Sequence, residues 1–134
     1  MHRISRFLST ALALATLGFS AFSPLPAAAQ VIDATVRPLV VIRFNQPRVY
    51  FDQQLYGALS QAVAIKPEVM FEVVSFAPTT GQNDRDAQWQ QAASQHTQAV
   101  VASMQSMGIP LERIRVTGQL QTGLRYDETH VFVR

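Results

Sequence analysis

VMFEVVSFAPTTG (69–81) followed by AQWQQAASQHTQAVVASMQSMGIPLERIRVTG (87–118) decides the fold, because two periodicities meet in it. From Val69 to Phe76 both alternating faces are apolar, with Val69, Phe71 and Val73 on one and Met70, Val74 and Phe76 on the other. That pattern predicts a central strand covered by helices. Ala77 to Asp86 contains Pro78, Gly81, Asn83 and Asp84, which is loop chemistry. Beyond it Trp89, Ala93, His96, Val100, Met104 and Met107 recur at steps of three or four, one side of a helix. Gln91, Gln95, Gln98 and Gln105 make the opposite side polar but uncharged. Asp84 or Asp86 is expected to cap this helix, Gly108 suits the left-handed turn past its end, and Pro110 discourages continuation.

Upstream, Leu39-Val40-Val41-Ile42 is a short β-branched run that predicts a buried strand, broken by Asn45-Gln46-Pro47. From Asp52 the pattern turns helical, with Leu55, Ala58, Leu59, Ala62 and Val63 on one face. Asp52 is the expected N-cap, Phe51 and Tyr56 the expected staple at the helix entry, and Pro67 the terminator. Downstream, Ile114 and Val116 alternate with Arg113, Arg115 and Thr117 as a half-exposed strand, and Val131-Phe132-Val133 form a last short one. The order β, α, β, α, β, β predicts an α+β fold: a small sheet on which each helix buries its one apolar stripe.

Met1 to Ala29 reads as an export signal: His2, Arg3 and Arg6 give a basic start, Phe7 to Phe22 is apolar and uncharged, and Ala27-Ala28-Ala29 offers a small-residue cleavage site. The absence of an Arg-Arg pair favours the general secretory route and a periplasmic location. A retained membrane anchor is the rival, disfavoured because the apolar run is shorter than the roughly 20 residues that span a bilayer. Removing 29 residues from 134 leaves 105, one small domain, in which residues 30–38 form an aperiodic lead-in. Without Arg3 and Arg6 the 11 basic residues become 9, against 9 acidic, so the domain is near neutral and carries no cationic footprint for nucleic acid. There is no cysteine, which removes disulfides, thiolate metal sites and N-terminal lipidation at once.

The strand at Val69, the helix closing on Gly108-Ile109-Pro110, the following Ile114 and Gly118, and Phe44-Asn45 ahead of the first helix together resemble the OmpA-like domain, the periplasmic module that grips peptidoglycan. The resemblance covers residues 39–134 and implies a βαβαββ two-layer sandwich with two helices on a small mixed sheet. In that family an aspartate after the second strand and an arginine on the second helix hold the zwitterionic end of diaminopimelate. An ammonium calls for a carboxylate there, and a carboxylate for a planar two-pronged cation. The resemblance places Pro78 at the acid's position, His96 at the arginine's, Ala92 and Ala93 at a Leu-Ser pair, and Trp89 at an asparagine. Proline offers neither charge nor donor, and an imidazole lacks the guanidinium fork.

The leading expectation is therefore a non-catalytic periplasmic cell-envelope protein whose degenerate OmpA-like domain binds another envelope protein, within a secretion or conjugation machine. The second reading keeps peptidoglycan as partner and rebuilds the site from Thr79, Thr80, Asp84, Arg85 and His96. The plain alternative for His96 is a helix histidine hydrogen-bonded to a nearby carbonyl, and for His130 an exposed strand histidine. Trp89 and the Met104–Met107 pair read as packing residues, so neither a metal nor a cofactor is expected. An envelope hydrolase is the third reading. It lacks a glycine-rich phosphate loop, a nucleophile elbow and HExxH, and Asp127 and Glu128 are adjacent rather than set across a cleft.

Overall fold

In a computed structural model, residues 36–134 are described. The expected export signal and residues 30–35 of the lead-in lie outside them. The elements run β1 (Val40–Arg43), α1 (Asp52–Ile65), β2 (Phe71–Pro78), α2 (Asn83–Ser106), a 3-10 turn (Leu111–Arg113), β3 (Ile114–Gln121) and β4 (Glu128–Val133). The fold is α+β: a four-stranded mixed sheet ordered β1-β4-β2-β3, with two helices packed on it. β4 runs antiparallel to both its neighbours, and β2 and β3 are parallel.

Register explains which side chains meet. Val40 and Ile42 of β1, Val131 and Thr129 of β4, Phe71 and Val73 of β2, and Ile114 of β3 share one face of the sheet. On it sit Leu55, Leu59 and Ala62 of α1 and Val100 and Met104 of α2, forming one core. All eight residues of β2 are buried, as a central strand requires, but both helices lie on that one face. Val74, Phe76 and Phe132 point the other way and gather with Leu124 into a separate cluster, so the arrangement is the expected two layers, with the second apolar face of β2 covered by this cluster and not by a helix. A run apolar on both faces does not say what covers each.

The helix ends follow from local chemistry. Lys66, forced out of the helical region by Pro67, is extended at φ −137°, and α1 stops there. At the end of α2, Gly108 takes φ +96°, the Gly108 N–H donates to the Gln105 carbonyl and the Ile109 N–H to the Met104 carbonyl. This is the paired-bond C-terminal closure that glycine permits, with Ile109 buried against the core. The N-terminal expectations are corrected. Phe51 precedes α1 and no side chain caps it; Asp52 instead accepts from Ser103 Oγ at 2.8 Å, tying the start of α1 to α2. Tyr56 is exposed, and Phe51 meets Phe44 edge-on at 6.2 Å, so the staple does not form. Neither Asp84 nor Asp86 caps α2, whose N-cap position is Gln82.

β3 and β4 are longer than the sequence pattern suggests, because pairing with β2 carries β3 through Gly118 to Gln121. Of the two apolar residues expected to be covered on β3, Ile114 is buried while Val116 remains 50% exposed. α2 packs along β2, and the β3 edge extends past it.

Candidate functional site

His96 projects from the middle of α2 toward the junction of β1 and β4. Its Nδ1–H donates to Asp127 Oδ2 at 2.7 Å, and its ring stacks on Phe44 at 4.1 Å with the planes 5° apart. Phe44 follows β1, and its N–H donates to the Asp127 carbonyl, so one backbone bond and one side-chain bond hold the three residues together. Asp127 is 2% exposed whereas the His96 side chain is 42% exposed. A carboxylate only accepts, so the proton on His96 resides on Nδ1 and Nε2 is the atom left for a ligand. The plain alternative of a backbone carbonyl partner is thus replaced by a buried acid 31 residues along the chain.

Beneath this pair lies a buried polar seam. Thr97 and Thr129 share a hydroxyl bond of 3.0 Å, and Ser75 sits beside Thr129 in the ladder. Among the described residues, no buried side-chain nitrogen or oxygen lacks a partner. Under this half of α2 the sheet face is polar, whereas toward Phe71 and Met104 it is apolar.

The other residues expected at a rebuilt site stand elsewhere. Thr79 and Thr80 follow β2 and close on Asp86: Thr79 Oγ1 donates to Oδ2 at 2.8 Å, and the Thr80 N–H and Oγ1 donate to Oδ1 at 2.7 and 2.9 Å. Asp84 and Arg85 are exposed on the first turn of α2. Asp86 and His96 are ten residues apart on one helix, which at 1.5 Å per residue separates them by about 15 Å. The structure therefore brings Thr79 and Thr80 together with Asp86, and brings His96 to Asp127 and Phe44, as two distinct clusters. Trp89 is half-buried on the intervening turns.

Hydrogen bonds from the Thr80 backbone N–H and then the Thr79 hydroxyl hold the Asp86 carboxyl below its ordinary value of 3.8. A lowered folded value means that this carboxylate secures the loop fully above pH 3.8, and that its contribution is lost as pH falls through the lower value. Protection of the Thr80 amide against hydrogen exchange, corrected for intrinsic rates, is expected to fall in that acid window. Asp86→Ala should abolish the protection at neutral pH as well. A pH-independent protection factor would show that the carboxylate does not hold the loop.

On the opposite face of the sheet, His130 is corrected from an exposed residue to a partly buried one. Its Nε2 lies 2.8 Å from Glu128 Oε2, its ring packs on Phe76 at 4.5 Å, and Glu128 Oε1 accepts from Arg43 Nε at 3.2 Å. Arg134 Nε donates to Glu72 at 2.9 Å, a second acid–base pair on this face.

A groove of about 740 Å³ lies between α2 and the β2–β3 part of the sheet. Gln90, Ser94, Gln98 and Gln105 form its helix wall, Val116, Gly118 and Leu120 its outer floor, and none of its lining residues is charged. Asp127 and this groove are what sequence reasoning missed. Of the glutamine face read on α2, Gln98 and Gln105 line the groove while Gln91 and Gln95 do not, and no local pattern marked Asp127 as buried. Among the described residues, no cluster of three or more His, Asp or Glu is placed to hold a metal ion, and no helix is long and apolar enough to cross a membrane. No protein-family model matches the chain, and no curated protein matches it.

Proposed function

We propose that the chain is a divergent OmpA-like module of the cell envelope, exported through the general secretory route to the periplasm, non-catalytic, and devoted to binding a protein partner in a secretion or conjugation machine. The observation that carries this reading is the state of Asp127. The acid nearest His96 is buried and already bonded to it, so no free carboxylate stands ready for an ammonium, and an imidazole replaces the two-pronged cation a carboxylate would seek. The groove between α2 and the sheet is instead uncharged and borders an edge strand, which suits a polypeptide better than a zwitterion.

Sedimentation with purified sacculi tests this reading. The protein is expected to stay in the supernatant, with and without free diaminopimelate. Strong pelleting that diaminopimelate competes away would overturn it. The peptidoglycan reading draws support from one feature, the exposed edge of His96 held rigidly by Phe44 and Asp127. On that reading His96→Gln would lose pelleting while remaining folded.

A further inference from the structure

β3 is an edge of the sheet. The Gln121 carbonyl accepts from the Thr79 N–H, which fixes the alternation of main-chain groups along the strand. Arg115, Thr117, Gln119 and Gln121 direct their N–H and C=O groups toward β2, and Val116, Gly118 and Leu120 direct theirs outward. Edge strands are ordinarily blunted by proline, lysine, an inward charge or a bulge. β3 has none of these: its ladder with β2 runs unbroken over eight residues, and its one charged residue is Arg115. Val116 and Leu120 stand 50% and 47% exposed on the groove side.

Gly118 sits at the middle of this edge, and nothing among the described residues calls for a glycine there. Its φ is not in the left-handed region, and an added Cβ would meet no atom within 4 Å. A glycine costs a strand stability, and inside one it often marks a place where another backbone approaches closely.

We propose that β3 pairs antiparallel with β3 of a second copy of this chain, across a two-fold axis passing through Gly118. The strand is self-complementary about that residue. Gly118 faces Gly118, Val116 faces Leu120, Thr117 faces Gln119, and Arg115 faces the neutral Gln121. Outward-directed main-chain groups therefore meet outward-directed ones, apolar meets apolar on the groove side, and no like charges are opposed. Moving the axis to Thr117 sets Val116 against the bare glycine, and moving it to Gln119 sets Leu120 against it. The pairing makes an isologous contact in which both helix layers lie on the same side of one continuous sheet. The two uncharged grooves then merge over a shared strip of Val116 and Leu120. A foreign strand would need to supply this pattern; a second copy supplies it by symmetry.

This pairing rests on the reading of the groove as an interaction surface, and its test is independent of sacculus binding. The protein, purified after expression of the full chain, is expected to show a concentration-dependent monomer–dimer equilibrium by sedimentation. Gly118→Pro removes an outward N–H that bonds nothing in β2, and is expected to weaken association by about 100-fold through two lost cross-strand bonds, with the unfolding midpoint retained. Leu120→Lys, at an exposed position, is a second variant expected to give monomer. Opposed Cα atoms in such a pair stand about 5.5 Å apart, within disulfide reach, so Gly118→Cys should oxidise to a covalent dimer while Gln119→Cys should not. The chain has no cysteine of its own to confuse the result. A monomer at every concentration, a dimer untouched by Gly118→Pro and Leu120→Lys, or a Gly118→Cys cross-link to a different envelope protein would each overturn the proposal. Sacculus binding that defeats the interaction reading would leave these hydrodynamic outcomes standing or falling by themselves.

Discussion

His96→Ala is expected to lower the free energy of unfolding by about 2–4 kcal/mol, more than an exposed helix residue ordinarily would. The loss comes from its partner. With the imidazole gone, the Asp127 carboxylate, 2% exposed in the intact pair, has its Oδ2 bond broken, and a buried charged acceptor without a donor is penalised heavily. Phe44 also loses the ring stacked on it at 4.1 Å. The reverse substitution, Asp127→Ala, is milder because His96 is 42% exposed and water replaces the missing acceptor. The double variant should therefore recover a large part of the His96→Ala loss. Urea unfolding of the two single variants and the double one measures this coupling directly. A His96→Ala protein within about 0.5 kcal/mol of the parent would mean that the pair does not hold the β1–β4 junction.

Phe71→Ala is expected to be the most damaging single truncation, at about 3–5 kcal/mol. Phe71 opens the central strand, is completely buried, and faces Ile114 on one side and Val133 on the other. It lies in the core that both helices share, so the cavity it leaves has walls from several elements that cannot all close in. Phe76→Ala removes the same ring from the smaller cluster on the opposite face, where Val74, Phe132 and Leu124 are its company, and is expected to cost less. Chemical denaturation of the pair ranks the two clusters. An inverted order would make the Val74–Phe132 cluster the dominant core.

Much of this was legible in residue order. The apolar run beginning at Val69 marked the central strand, the spacing of Ala93, Val100 and Met104 marked the buried side of α2, and Gly108 marked its closure, because each signal is local. What escaped depends on pairing at a distance. β3 continues past Gly118 because β2 offers a partner as far as Pro78, and no composition within Gln119–Gln121 demands a strand. Asp127 read only as an acid adjacent to Glu128, not set across a cleft from it. Alternation sends it under α2 while Glu128 turns to the far face to meet Arg43 and His130. Asp86 looked like a cap and became the acceptor for a threonine loop, since its side chain reaches back to Thr79 and Thr80 rather than to the first turn of its own helix.

The position of β4 between β1 and β2 has a consequence for the timing of synthesis. In the described sheet β1 borders β4 alone, and Arg43 waits for Glu128, 85 residues further along. At elongation rates of about 5–20 residues per second, that is roughly 4–17 s during which Val40-Val41-Ile42 has been made and has no neighbour to bond. Long-range closure of this kind also slows the folding step that follows. Any factor attending the chain before Glu128 follows meets this segment as an open, sticky ribbon.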